Sequence, residues 1–268
     1  MLEHTLNQAA GLLALTPHAG PQMLAMVSHG DEQAELPLLW RLCLALVDFG
    51  YSVTVLDATT CETETNPGLD QMLDDRYWHE DEDLDTPAWT VLPAGRGIQN
   101  LCAVPARRQQ NLRQLGHLFR HDGVVIVYSP AEWLVPLVGE TGIEPLLAMS
   151  SMKSSLLTGY VALKRLLING KLEPTIVNMI QEHRPAKVIA SGAMATSLSE
   201  CAKNFLGYDV KAINIAAPAD EEPPCRKIQG LALRLLENAM PLRTGFLTTM
   251  PEAGGVHLHA DDPFAGSH

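Results

Sequence analysis

The stretch most able to do chemistry is His29–Leu36, HGDEQAEL. It follows an apolar run, MLAMVS (23–28), and precedes PLLWRLCLALVDFG (37–50) and YSVTVLDA (51–58). Strand, loop, helix and strand in that order form the opening βαβ unit of a nucleotide-binding α/β domain. In such a unit the loop backbone wraps phosphate, glycines permit the wrap and a lysine supplies the charge. Here the loop holds one glycine, Gly30, no lysine, and three carboxylates, Asp31, Glu32 and Glu35. Carboxylates at a phosphate position repel phosphate, so the frame of a nucleotide site is present and its chemistry looks erased.

Other polar residues carry weaker signals. Asp57 ends the second strand and reads either as a remnant catalytic carboxylate or, preferably, as a turn cap. Asn178, at a strand position, reads as a turn former. The acidic run HEDEDLD (79–85) reads as a solvated face. His257, His259, Asp261 and Asp262 have metal-ligating side chains, but a loose tail lends them no supporting hydrogen bonds. The expectation is therefore no metal site and no cofactor.

The elements that must position these residues follow from patterning. The chain has 268 residues, 46% of them hydrophobic, enough for a sizeable core. A formal net charge of −12 argues against a nucleic-acid partner held through phosphates. Five scattered cysteines without a C-x-x-C pair fit a reducing cytoplasm. No apolar run reaches the ~20 residues of a membrane span, and the N-terminus, with Glu3 and His4, lacks the pattern of a signal peptide. Helices are expected at 37–49, 112–120, 154–168, 197–205 and 228–239, the last packing on the sheet. Strands are expected at 23–28, 51–58, 89–95, 123–130, 143–149, 174–180 and 209–218. Residues 61–86 read as an exposed, part-helical acidic excursion. About seven strands alternating with helices predict a doubly wound, mostly parallel sheet with helices on both faces. The expected organisation is an N-terminal segment (1–16), an α/β domain (21–240) and a loose C-terminal tail (241–268).

Four stretches, LNQAAGLLAL (6–15), LALVDFGYSVTVLDA (44–58), WTVLPAGRGIQNL (89–101) and SSLLTGYVALKRL (154–166), occur in an order that resembles the MinD/ParA-type P-loop ATPases. The first resembles the signature of the flagellar-number regulators FlhG and FleN, with Gln8, Ala9 and Leu12 matching and Asn7 in place of an aspartate. In the last, Leu156, Tyr160, Ala162 and Lys164 are in register. The resemblance implies a MinD-like fold. It also implies an N-terminal segment (Asn7, Gln8, Ala9, Leu12) that docks on an FlhF-type GTPase, and recruitment from the cytoplasm to the cell pole or membrane by a partner.

The departures bear on activity. Aligned from the following helix, the family's two P-loop lysines fall on Gly30 and Glu35, its magnesium-binding threonine on Leu36, and its switch aspartate on Val127. Asp57 survives, followed two positions on by Thr59. Leucine and valine cannot ligate magnesium directly or through water. The resemblance with these losses implies a pseudo-ATPase acting as a regulatory adaptor in flagellar assembly or placement, self-associating, where it does so, without nucleotide. Two other readings stay open: an active MinD-like switch with unusual ligands, and a doubly wound enzyme or small-molecule binder.

Overall fold

A computed structural model describes residues 20–74, 89–181, 188–217 and 226–242. The segment 1–16 with Asn7, Gln8, Ala9 and Leu12, the acidic run 79–85 and the His/Asp-containing tail lie outside the described residues.

Chain order is β1 (Gln22–Ser28), α1 (Glu32–Asp48), β2 (Val53–Asp57), α2 (Leu69–Leu73), β3 (Trp89–Pro93), α3 (Gly95–Cys102), α4 (Arg108–Leu118) and β4 (Val124–Pro130). It continues with α5 (Ala131–Val138), β5 (Leu146–Met149), α6 (Lys153–Arg165), β6 (Thr175–Gln181), α7 (Val188–Cys201), β7 (Ala212–Ala217), α8 (Arg226–Glu237) and β8 (Met240–Pro241). The sheet order is β3-β2-β4-β1-β5-β6-β7, all parallel, with the two-residue β8 antiparallel to the start of β1. The expected doubly wound parallel sheet is therefore the observed one.

Alternation along the central strands separates two cores. Met23, Ala25 and Val27 of β1 face the side covered by α3 to α7, with Ile98, Leu115, Leu134 and Leu163. Leu24 and Met26 face the side covered by α1 and α8, with Leu38, Leu42, Leu46, Ile228, Leu231 and Leu235. Both faces are buried, which is why β1 and β4 read as continuous apolar runs. Helix α8 packs on the sheet, as its pattern predicts. Helix α1 ends in a Schellman turn. Gly50, at φ +87°, donates its N–H to the Val47 carbonyl (2.8 Å), and Tyr51 donates to that of Leu46 (3.1 Å).

Several boundaries differ from expectation. Helix α1 begins at Glu32, five residues before Pro37, so the loop after β1 shrinks to His29–Asp31. The Asp31 carbonyl already accepts the N–H groups of Ala34 and Glu35, both at 2.9 Å, and tertiary contacts hold the first turn despite the internal proline. Helices α3 and α5 were not evident in the sequence, because Gly95, Gly97 and Pro136 interrupt their patterns. Asn178 is no turn former: it is fully buried in β6, its amide donating to the Asn214 side chain of β7 at 2.8 Å. The boundary at 240 falls inside β8, and Leu242 is buried with its N–H donated to the Pro21 carbonyl (2.9 Å).

The described part of the acidic excursion is not simply exposed. Glu62 is fully buried, and its carboxylate accepts the N–H groups of Asp70 (3.1 Å), Arg96 (2.7 Å) and Gly97 (2.9 Å), at the starts of α2 and α3. Gly68 closes this corner. A Cβ there would stand 2.0 Å from the Pro93 carbonyl oxygen, a backbone atom that cannot step aside. Gly68→Ala should therefore lower unfolding free energy by about 2–4 kcal/mol in denaturant titration. An unchanged midpoint would show that the corner yields at no cost.

Candidate functional site

In a doubly wound sheet, ligand sites form beyond the carboxyl ends of the strands where the winding reverses. Here the chain winds outward from β1 to β3, returns to β4 beside β1, and continues on the other side through β5. The reversal lies at the carboxyl ends of β4, β1 and β5, and the residues gathered there are Tyr128, His29, Gly30, Asp31, Glu35, Ala148 and Ser150.

The three-residue turn is set by Gly30 at φ +88°, a conformation that favours glycine. It turns the N–H groups of His29 and Asp31 toward one point. Both donate to Glu35 Oε1 at 2.9 Å. The Tyr128 hydroxyl donates to Glu35 Oε2. The His29 ring stands alongside, with Nε2 3.5 Å from Glu35 Oε1. That nitrogen lies 2.6 Å from the Ala148 carbonyl. A carbonyl only accepts, so Nε2 carries the proton. The other ring nitrogen, Nδ1, meets Thr158 Oγ1 of α6 at 2.8 Å. The Asp31 carboxylate accepts the Ser150 N–H at 2.7 Å. Glu35 is 0% exposed.

The residue aligned with the second P-loop lysine thus folds back and places its carboxylate where the turn's amides converge. Electrostatics at Tyr128 follow. Burial pushes its phenol far above the usual range, and the adjoining Glu35 and Asp57 carboxylates push it further. The hydroxyl stays protonated and acts as a donor.

The remaining predicted site residues are dispersed. Leu36 is 47% exposed on the outer side of α1, in line with Trp40 and Leu44. Glu32 is also exposed, so of the three loop carboxylates only Asp31 and Glu35 enter the site. Val127 is fully buried in the core on the α3–α7 side, facing away from Glu35. Asp57 caps its own turn, accepting from Thr59 N (2.9 Å), Thr59 Oγ1 (2.6 Å) and Thr60 Oγ1 (2.7 Å). Sequence reasoning missed Tyr128, His29 and Thr158. For Tyr128 the signal was one phenol in the otherwise aliphatic stretch VVIVY, whose hydroxyl needs a buried partner.

An ATP–magnesium complex does not fit this residue set. The turn's amides are engaged by Glu35, the turn itself holds no lysine, and Leu36 and Val127 offer no oxygen to a cation. Among the described residues no group of three or more His, Cys, Asp and Glu side chains is placed to hold a metal ion. No helix among them is long and apolar enough to cross a membrane.

No protein-family model and no curated protein matches the chain. Solved structures do. Cobyrinic acid a,c-diamide synthase from Mycobacterium smegmatis superposes with a TM-score of 0.53 at 14% identity, over 81% of this chain and 94% of that one. MinD from Aquifex aeolicus gives 0.52 at 14% identity, over 82% and 98%. McdA of Cyanothece in complex with ATP gives 0.50 at 12% identity, over 80% and 88%. The chain has a MinD-type doubly wound fold. At these identities the likeness is one of fold.

Helix α1, which carries Glu35, also carries Cys43, and its thiol reports on that helix. Burial pushes Cys43 up to about 12 and Cys102 up to about 11, Arg108 partly opposing the latter, while Cys61 is exposed. At pH 8 alkylation mapped by mass spectrometry should label Cys61 within minutes and spare Cys43 and Cys102 until denaturant is added. Rapid native labelling of Cys43 would mean that α1 opens readily.

Proposed function

We propose that this chain is a nucleotide-independent regulatory adaptor built on a MinD-type scaffold. The observation that carries the reading is the Glu35 carboxylate, received by the His29 and Asp31 amides and the Tyr128 hydroxyl at the switch point. A phosphate brought to that turn meets a buried anion that already holds its donors. The side chains aligned with the family's cation-binding positions, Leu36 and Val127, supply no ligand, so hydrolysis has neither a free phosphate cradle nor a metal. A pseudo-ATPase keeps the surfaces of its fold, and its output is contact with partners.

The sequence LNQAAGLLAL directs the adaptor reading toward flagellar assembly or placement. Its resemblance to the FlhG/FleN signature supports an N-terminal segment that engages an FlhF-type GTPase through Asn7, Gln8, Ala9 and Leu12. Recruitment to the cell pole or membrane then follows from the partner. Any homodimer forms without nucleotide, because the lysine that reaches a partner's phosphates in the ATP-sandwich dimer is replaced by Gly30.

Isothermal titration of the full chain with ATP and magnesium should show no binding at micromolar concentration, where about 8 kcal/mol would be needed. Light scattering should give one molar mass with and without ATP. Micromolar binding, or a mass that doubles with ATP, establishes the active-switch alternative instead.

A second measurement addresses the partner. Gln8→Ala should abolish stimulation of an FlhF-type GTPase while leaving the melting temperature of the chain unchanged. A lowered melting temperature with undiminished stimulation would make the segment structural and remove the flagellar assignment.

A further inference from the structure

The geometry points to a latent anion site in this chain: the turn after β1 is a working oxyanion cradle, and Glu35 is its tethered, built-in ligand. The donors come from two separate sources, the turn and the neighbouring strand, with an imidazole beside them. Gly30 aims two backbone N–H groups at one oxygen, each at 2.9 Å. Tyr128, from the neighbouring strand, donates to the other oxygen. The edge of the His29 ring closes the third side at 3.5 Å. A carboxylate and a phosphate oxygen are equivalent acceptors for such donors. Converging donors around a fully buried anion are what an anion site consists of. In this chain the anion is covalently attached one helical turn downstream.

Attachment decides the competition. A tethered ligand acts at an effective concentration of about millimolar or more, so free phosphate is kept out by local competition in addition to charge repulsion. The tether also fixes the surroundings. The His29 ring bridges to the Ala148 carbonyl and Thr158, and Asp31 to the Ser150 N–H. These bonds join the cradle to the end of β5 and the first two turns of α6. With Glu35 in place this arrangement is permanent, so the state of α6 does not depend on a diffusible ligand. This inference deepens the adaptor reading: the site is held in an anion-filled arrangement by the protein itself.

The test is chemical rescue in the full chain. Glu35→Ala should melt several degrees below wild type in chloride, and inorganic phosphate at matched ionic strength should restore the loss saturably. Calorimetric titration should give phosphate binding to Glu35→Ala about tenfold or more tighter than to wild type. Glu35→Gln, which keeps the shape and fills the cradle with an amide, should melt below wild type and gain nothing from phosphate. The inference is overturned if Glu35→Ala melts alike in phosphate and chloride, or if phosphate stabilises wild type and variant equally. Should Glu35→Ala fail to fold in either salt, Glu35→Gln decides: a wild-type melting temperature means the charge is not used and overturns the inference, and a lowered one supports it. ATP binding by wild type would sink the adaptor reading without fixing the phosphate result for Glu35→Ala, so the two failures are distinguishable.

Discussion

The site is organised around one constraint: the Glu35 carboxylate is buried and must be paired. An ionised carboxylate removed from water without donors costs many kcal/mol. It is tolerated at 0% exposure because two amides and a phenol donate to it. Those donors belong to the turn after β1 and to β4, and through His29 the arrangement reaches β5 and α6. The strands involved are the central three of the sheet. The fold brings them side by side at the point where its winding reverses, and there Glu35 and His29 together join all three.

The same solution recurs along the carboxyl edge of the sheet. Glu62, also fully buried, holds the backbone N–H groups that begin α2 and α3. Asp57 holds its own turn, and Asp31 holds Ser150. Helices that start from the carboxyl ends of parallel strands present unpaired N–H groups and the positive ends of their dipoles there. An edge of this kind attracts anions. In this chain four acidic side chains neutralise it from within, spending on internal acceptors the donors that a diffusible phosphate would need.

The fold and the site therefore carry different information. Superposition on MinD, McdA and cobyrinic acid a,c-diamide synthase at TM-scores of 0.50–0.53 concerns the layers, the strand order and the two cores. These depend on apolar alternation, which many sequences satisfy, and 12–14% identity is enough to keep it. Phosphate chemistry depends on a few side chains at the strand ends, and those can change while the layers stay. A scaffold can survive such changes because the core clusters around Leu38, Ile126, Leu134 and Leu163 do not pass through the turn.

The sequence by itself determined the doubly wound class, the central apolar strands, the stripe Leu38–Leu42–Ala45–Leu46 that seats α1, the docking of α8, and the absence of a phosphate lysine. These are local properties, visible as period and residue type. Tertiary structure alone decided where the loop acids go. Glu32, Glu35 and Asp31 are indistinguishable as neighbours in HGDEQAEL. Starting α1 at Glu32 places Asp31 and Glu35, four residues apart, on the buried side, and turns Glu32, about 100° on from Asp31, outward. That start was hidden by Pro37, which in isolation argues for a later one. Tyr128 and Thr158, 93 and 123 residues along the chain from Glu35, reach the site only through strand pairing and helix packing. No local pattern encodes such separations, so the pairing of one buried charge had to be read from the folded chain.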